Sequence, residues 1–278
     1  MAGSRARGRY LLGDSRSEAA RLRTQARLWD PVSRRLFDRL KLRRGSRVLE
    51  VGPGQGSLHL ELRRRVRGPV DAVEPSRTFA ARLRALCARD GLGPGRLWTT
   101  ELRAAELPRG HYDVVFARWV FLFLPDVELH LRKLVRALRP GGQLALEEYH
   151  RETFVLVPRP AEWTNFLAAE RALYATSGLD ISLGGRLPRL FRSHGLDVVE
   201  IVPHVLTGGP GSPVWRWLST YFFGMMPRYA RFPPFSPTQA RRLLRQWRAA
   251  ERDPAAVMIA PAVLDVVGRK PARPRSKR

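Results

Sequence analysis

The feature that most constrains the fold is a short apolar run that ends in a glycine-rich turn. Residues 48–56 read VLEVGPGQG, with a glycine at every second position from Gly52 to Gly56. Because glycine has no Cβ atom, it lets the chain turn sharply at a strand end and lets the backbone press against a flat ligand. The segment therefore predicts a strand, a ligand-binding turn and a helix, the first unit of an α/β fold.

The spacing of these glycines favours some ligands over others. In a dinucleotide-binding turn the third glycine occupies the position that Ser57 holds here, whereas Gly56 comes one residue earlier. A nucleotide-type cofactor is therefore the first hypothesis, and a nicotinamide cofactor is disfavoured. A single glycine-rich turn is weak support, so the rest of the chain has to decide.

Strand and helix patterns alternate along the chain. Strands are predicted over residues 47–51, 70–74, 97–100, 113–118, 143–149, 198–205 and 262–267, and helices over residues 57–66, 76–89, 126–138, 161–176, 186–194 and 237–250. Such alternation predicts a doubly wound, mostly parallel sheet with helices on its faces. Residues 16–41 predict two helices bent near Asp30-Pro31, and residues 177–185 (SGLDISLGG) predict a loop.

The chain is strongly basic, with a formal net charge of +25. This charge leaves nucleic acid open as a partner. However, 46 of the 50 basic residues are arginines spread along the whole chain, as a GC-rich genome tends to impose, and aromatic residues are interleaved with them only near residues 215–235. We therefore disfavour nucleic acid and favour a solvated surface.

The single cysteine, Cys87, excludes an internal disulfide and a cysteine-based metal cluster, so a reducing, cytoplasmic setting and no bound metal are expected. No stretch of ~18 uninterrupted apolar residues is present, which predicts that the chain has no membrane span. The sequence does not indicate the oligomeric state.

An acidic residue ends the strand that follows the glycine turn. Glu74 lies 22 residues after Gly52, and a carboxylate there can accept hydrogen bonds from both hydroxyls of an adenosine ribose. The same diol is present in NAD and in S-adenosylmethionine, so Glu74 does not choose between them. The alternative is a solvated acid at a strand end.

Four ordered blocks make the choice: RVLEVGPGQGSLHLEL, VDAVEPS, ELPRGHYDVVFARWVFLFLPD and LVRALRPGGQLALEEY. With these blocks, residues 45–150 resemble class I S-adenosylmethionine-dependent methyltransferases. The segments YLLGDSRSEAARLRTQ and GLDISLGGRLPRLFRSHGLDVV are similar to a bacterial small-molecule branch of that family. The resemblance implies a Rossmann-like, seven-stranded sheet with an antiparallel last strand, and S-adenosylmethionine as cofactor.

The predicted organisation has five segments. These are a basic N-terminus with a helical cap (1–44), the cofactor-binding core (45–207), a helical, aromatic insertion that covers the substrate (208–256), the final strand of the core (257–268) and a basic disordered tail (269–278).

The resemblance also implies a set of cofactor-binding residues. The methionine end of the cofactor would contact Glu50, Gly52, Gly54 and Gly56, and its ribose and adenine would contact Glu74, Pro75 and Ser76. Arg103 stands where the family often has an acid that binds the adenine amino group, which leaves the adenine to the backbone near Ala104. Arg118 and Trp119 would face the transferred methyl group. Tyr10, Arg21 and Gln25 would close over the cofactor, with Arg21 at its carboxylate; ordinary surface positions are the alternative.

The acceptor is a small molecule in this interpretation. The aromatic segment around residues 215–235 favours an apolar or aromatic acceptor, although part of it must pack on the sheet. Tyr149 and His150 are the candidate general bases, with His204 behind them and a structural role as the alternative for each histidine. The side chains of Glu147 and Glu148 point to opposite faces of the predicted strand, so at most one of them can point toward the pocket. An RNA methyltransferase and a non-catalytic cofactor-binding module remain the competing hypotheses.

Overall fold

The computed structural model describes residues 16–93 and 95–272, without the side chains of residues 16–23. Its helices are α1 (Arg16–Arg39), α2 (Ser57–Val66), α3 (Arg77–Cys87), α4 (Val127–Ala137), α5 (Trp163–Ala175), α6 (Leu183–Ser193), α7 (Pro213–Tyr229) and α8 (Pro237–Ala250). Its strands are β1 (Val48–Val51), β2 (Asp71–Val73), β3 (Leu97–Trp98), β4 (Tyr112–Arg118), β5 (Leu138–His150), β6 (Val155–Val157), β7 (Asp197–His204), β8 (Thr207–Gly208), β9 (Val257–Ile259) and β10 (Ala262–Arg269).

The main sheet has seven strands in the order β3-β2-β1-β4-β5-β10-β7. The pairs from β3 through β5 are parallel, whereas β10 runs antiparallel to both β5 and β7. This confirms the predicted fold class, including the antiparallel last strand. The strand order reverses beside β1, and open α/β sheets bind ligands at the carboxyl ends of the strands at such a reversal.

Alternating side chains of the central strands fill two separate cores. Val115 and Leu146 belong to a cluster with residues of α4 and α6. Their neighbours Val114 and Ala145 belong to a cluster with residues of α1 and α2. This period of two gives the sheet one buried face toward each pair of helices, so its strands are held rigidly under the loops at their ends.

The prediction of two helices over residues 16–41 was wrong. Helix α1 continues through Pro31, although a proline removes one backbone hydrogen bond and costs ~3 kcal/mol inside a helix. Trp29, Val32, Leu36 and Phe37 are all buried, on both sides of the proline. Burial of these side chains outweighs the local preference.

The predicted glycine-rich loop also differs from the structure, because its last residues begin helix α6. A Cβ atom on Gly184 would lie 2.6 Å from the carbonyl oxygen of Glu148 and 2.9 Å from that of Tyr149. Only glycine lets the helix pack this closely against β5. The glycines here serve close packing of a helix against a strand.

A three-stranded sheet in the order β6-β9-β8 was not predicted. It lies in the chain beside α5, α7 and α8, whose side chains share one large, strongly aromatic core with Trp29 and Val32 of α1. No helix in the described part of the chain is long and apolar enough to span a membrane.

Candidate functional site

A cavity of about 1010 Å³ lies at the carboxyl ends of β1, β2, β4 and β5. Residues that follow these strands line it, and side chains of α1 and α7 contribute Gln25, Trp217, Leu218 and Tyr221 to its wall. The cavity therefore occupies the place that the strand order favours for a ligand. One part is lined by the glycine turn and the loops around Glu74 and Leu102; we call the part lined by Trp119, Tyr149, Trp217 and Tyr221 the aromatic end.

The glycine turn forms a wall of bare backbone. Gly52 and Gly54 line the cavity with positive φ angles of 69° and 52°. A Cβ on Gly52 would lie 2.5 Å from Cγ2 of Val120, whereas one on Gly54 would meet no atom within 4 Å. A flat ligand therefore fits against Gly54, and any side chain at this position would occupy its space.

Gly56 has a different task from the other two glycines. It does not line the cavity but precedes α2 with a φ of 84°, and a Cβ there would lie 2.9 Å from Cδ1 of Leu83 in α3. Its small size lets α2 and α3 approach each other. Gly56 was predicted to contact the cofactor, and the structure places it outside the cavity.

Glu74 is fixed at the end of β2 by two backbone N–H groups. Gly54 donates to Oε2 at 3.1 Å and Ser76 donates to Oε1 at 2.9 Å. Burial raises the pKa of Glu74, and the two hydrogen bonds oppose this rise. Glu74, Pro75 and Ser76 all line the cavity. Each carboxylate oxygen can accept a further hydrogen bond, which matches a vicinal diol.

Glu50 lines the cavity and contacts a histidine that the sequence reasoning missed. Nδ1 of His59 lies 2.9 Å from Oε2 of Glu50, and both side chains are buried. Burial alone would lower the pKa of His59, but hydrogen bonds to Cys87 and Glu50 raise it to about 9. The imidazolium thus orients the carboxylate of Glu50. No spacing rule pairs a strand residue with a helix residue nine positions later, so the sequence carried no signal for this contact.

The remaining predicted cofactor residues divide into three groups. Gln25 and Arg103 line the cavity, and Ala104 does not. Glu101, which was not predicted, supplies a carboxylate beside Arg103 on the same wall. Tyr10 lies outside the described residues, as does the side chain of Arg21.

Arg118 ends β4 and Trp119 follows it, and both line the cavity where its two parts meet. Trp119 has a φ of 54°, which is strained for a residue with a large side chain. Its ring stacks on Tyr149 with centroids 5.1 Å apart, and the guanidinium of Arg118 lies 4.7 Å from the ring. Arg118 in turn donates to Asp30 and Ser33 of α1 at 2.8 Å each, which ties the helix to the floor of the cavity.

Two buried glutamates support this floor from behind. Glu148 accepts hydrogen bonds from the N–H groups of Val120 and Phe121, and Ser33 donates to Glu147. Burial raises the pKa of each carboxyl to about 8, against the opposing effects of Arg118 on Glu147 and of backbone N–H groups on Glu148. Neither lines the cavity. Glu148 holds the backbone of the loop, and Glu147 holds Ser33 of α1.

Of the two candidate bases, the structure brings only Tyr149 to the cavity. The ring of His150 packs against Gly185, and its Nδ1 lies 3.4 Å from the carbonyl oxygen of Ser182. His204 lies on β7, where it contacts Asp265 at 2.7 Å. Successive strand residues point to opposite faces, which explains why Tyr149 and its neighbour separate.

Arg151 lines the cavity and was missed entirely. Its Nε and Nη2 atoms donate to Oε1 of Glu170 in α5 at 2.9 and 2.5 Å, and its side chain is only 6% exposed. Nothing in the local sequence distinguishes this arginine from 45 others. Its burial depends on α5 and α7, which come much later in the chain.

Comparison with known proteins finds a family model that matches about a third of the chain. Residues 49–146 match the family model described as a methyltransferase domain. Nocamycin O-methyltransferase of Saccharothrix syringae is 32% identical over 129 residues, which is 44% of this chain and 45% of that protein. Trans-aconitate 2-methyltransferase of Azoarcus sp. (strain BH72) is 34% identical over 147 residues, 51% of this chain and 56% of that protein. The chain thus spans about half the length of the curated relatives it matches.

Solved structures extend the likeness in fold. Geranyl diphosphate C-methyltransferase from Streptomyces coelicolor A3(2), solved with S-adenosyl-L-homocysteine, matches 93% of this chain and 85% of its own with a TM-score of 0.56 at 14% identity. The cyclase SpnF matches 89% and 82% with a TM-score of 0.55 at 20% identity. At these identities the likeness shows the fold alone.

Proposed function

We propose that this protein is an S-adenosylmethionine-dependent methyltransferase, because residues 49–146 match the family model of a methyltransferase domain and lie in a sheet of the class I order. Its acceptor is an apolar or aromatic small molecule, methylated by in-line displacement. The observation that carries the proposal is a single cavity that joins a bare glycine turn and Glu74 to an aromatic end. When bound, S-adenosylmethionine supplies a methyl group already activated on a sulfonium.

The residues around the turn would hold the cofactor. Gly54 offers backbone to its flat surface, Glu50 approaches its methionine part, and Glu74 accepts from the ribose hydroxyls. Pro75, Ser76 and Arg103 line the adenine side, with Glu101 as a further acceptor for the adenine amino group. Gln25 of α1 would close the site on the methionine side.

The aromatic end would orient the acceptor and exclude water. Orientation in a dry cavity is the main requirement, because an activated methyl group needs an aligned nucleophile more than it needs a base. Trp119 and Tyr149 would provide a flat wall at the junction where transfer occurs. If the acceptor is a hydroxyl, Tyr149 is the side chain placed to take its proton. The relatives named for nocamycin and trans-aconitate support a small-molecule acceptor.

Calorimetry with S-adenosylmethionine and S-adenosylhomocysteine tests the cofactor, and we expect both to bind the folded protein with one site per chain. Failure of both to bind would refute the proposal. Transfer of a labelled methyl group to extracts of small molecules then tests turnover. Binding without turnover on any acceptor would favour the non-catalytic module.

An RNA substrate is the alternative that the net charge keeps open. Against it, several arginines form ion pairs with acids inside the fold, among them Arg63 with Asp90 and Arg118 with Asp30. Tight RNA binding that weakens steeply with salt would favour this alternative.

A further inference from the structure

A guanidinium group lines the aromatic end of the cavity. Arg151 lies with its Cζ atom 4.9 Å from the ring centroid of Tyr221 and 5.6 Å from that of Tyr149, two rings that also line the cavity. The charge of arginine is permanent at any pH a folded protein meets. A fixed positive group therefore sits where the acceptor would be bound.

The partners of Arg151 hold it from the side away from the cavity. Its Nε and Nη2 atoms both donate to one oxygen of Glu170, and the hydroxyl of Tyr229 donates to the same oxygen at 3.2 Å. Glu170 is 1% exposed and does not line the cavity. Two of the three guanidinium nitrogens are thus fixed from behind, which pre-organises the group for a planar, oxygen-bearing ligand.

The other charged residues of the cavity also leave the aromatic end positively charged. Arg118, beside Trp119, lines the cavity while its partner Asp30 does not. Among the residues that the structure describes, the carboxylates that line it are Glu50, Glu74, Glu101 and Asp126, which lie in β1 and in the loops after β2, β3 and β4. Within the described part of the chain, the aromatic end therefore presents the cations of Arg118 and Arg151 and no carboxylate to a ligand.

We infer that Arg151 determines acceptor specificity by selecting a molecule with an anionic oxygen, a carboxylate or phenolate, over one with an amine. A hydrogen bond from a charged donor to an anionic oxygen is about twice as strong as a neutral one. A protonated amine would instead lie between two guanidinium groups, and the faces of Tyr149 and Tyr221 already contact the cation of Arg151. The inference rests on the proposed function and names the acceptor class of that site.

Three probes of matched shape test it: 2-naphthoate, 2-naphthol and 2-(aminomethyl)naphthalene, titrated into the full chain saturated with S-adenosylhomocysteine. We expect naphthoate or naphthol to bind at least about tenfold tighter than the amine. Their order tells whether the acceptor is a carboxylate or a phenol. In Arg151→Gln the ratio of the affinity for the oxygen probes to the affinity for the amine should fall to about one, with the affinity for S-adenosylhomocysteine retained.

Two further variants keep the test sharp. Arg63→Gln removes another buried arginine with a carboxylate partner, Asp90, outside the cavity, and should leave the probe ratio unchanged. Glu170→Gln keeps Arg151 but removes its countercharge, so the preference for oxygen should increase about threefold or more. If Arg151→Gln does not fold, Glu170→Gln tests the inference by itself.

The inference is overturned if the amine binds as tightly as the oxygen probes or if no probe binds the loaded protein. It is also overturned if the ratio of probe affinities in Arg151→Gln and in Glu170→Gln equals that of the unaltered chain. Loss of S-adenosylhomocysteine binding in the unaltered chain would be a different result, because it refutes the proposed function itself.

Discussion

The two parts of the cavity are constructed in opposite ways. The wall formed by the glycine turn and Glu74 comes from residues 50–76, and it depends on backbone geometry and on the carboxylates of Glu50 and Glu74. The aromatic end is assembled from β4, β5 and α7, with its charged group held by α5. One part is local in sequence, and the other exists only after distant elements have packed together.

This difference predicts which residues of the cavity tolerate substitution and which do not. A turn that needs positive φ at Gly52 and Gly54 tolerates few substitutions, because most residues are strained there. Side chains of an aromatic wall can be exchanged without changing the backbone that carries them. We therefore expect specificity for the acceptor to change more readily than specificity for the cofactor.

The largest effect is expected at the glycine turn. Gly54→Asp puts a side chain into the open space beside the turn and a second carboxylate near Glu74, so affinity for S-adenosylhomocysteine should fall more than about 100-fold. Calorimetry measures the change. Gly110→Asp is the matched control, since Gly110 has a φ of 59° and equally open surroundings but lies outside the cavity. Equal loss in both variants would mean that backbone strain, not the site, causes the effect.

Removing the charge of Glu74 should have the next largest effect. Glu74→Gln keeps the shape but loses a charged acceptor for the ribose diol, which predicts a roughly 10- to 100-fold weaker affinity for S-adenosylhomocysteine. The exposed Glu128, paired with Arg132 on the surface of α4, supplies the control Glu128→Gln. An unchanged affinity in Glu74→Gln would show that Glu74 only fixes the turn.

At the aromatic end, a substitution should lower turnover more than cofactor affinity. Trp119→Leu removes the ring that stacks on Tyr149. With an acceptor identified by the transfer of labelled methyl groups, turnover should fall up to about tenfold, while cofactor affinity should change about twofold or less. Steady-state kinetics and calorimetry on the same samples separate the two. Trp98→Leu, at a half-buried tryptophan of β3 outside the cavity, is the control. A larger loss of cofactor affinity than of turnover would contradict the division between the two parts.

The smallest effect is a pH dependence of stability. Glu147 and Glu148 have a pKa of about 8 in the fold and an ordinary value of 4.5, so between these values the folded state binds protons that the unfolded state releases. The free energy of unfolding should therefore fall as pH rises from about 5 to 8, by at most about 1.4 kcal/mol per pH unit for each carboxyl.

Urea unfolding across this range measures the slope. Glu148→Gln should reduce it, because the amide keeps an acceptor for the N–H groups of Val120 and Phe121 but has no proton to lose. Glu152→Gln changes an exposed carboxylate nearby and should leave the slope as it is. The same slope in both variants would show that Glu148 is ionised throughout.

Most of the sheet and part of the site were predictable because their signals are local. Helix α8 begins and ends at the predicted residues, since Ser236 and Gln239 form a capping box that the sequence itself encodes. Glu74 reaches the cavity because it ends a strand next to β1. By contrast, Pro31 and Gly184 carry strong local signals for a break and a loop, and packing of α1 and α6 overrides both.

By itself, the sequence determined the order of strands and helices, the glycine turn and the acid that faces it, because each depends on a few adjacent residues and on backbone preferences. Only the tertiary structure decided that His150 packs under Gly185 while Tyr149 and Arg151 reach the cavity. It also decided which arginine among many is buried against Glu170. The physical reason is that burial and charge pairing depend on contacts between elements far apart in the chain, and no local pattern records them.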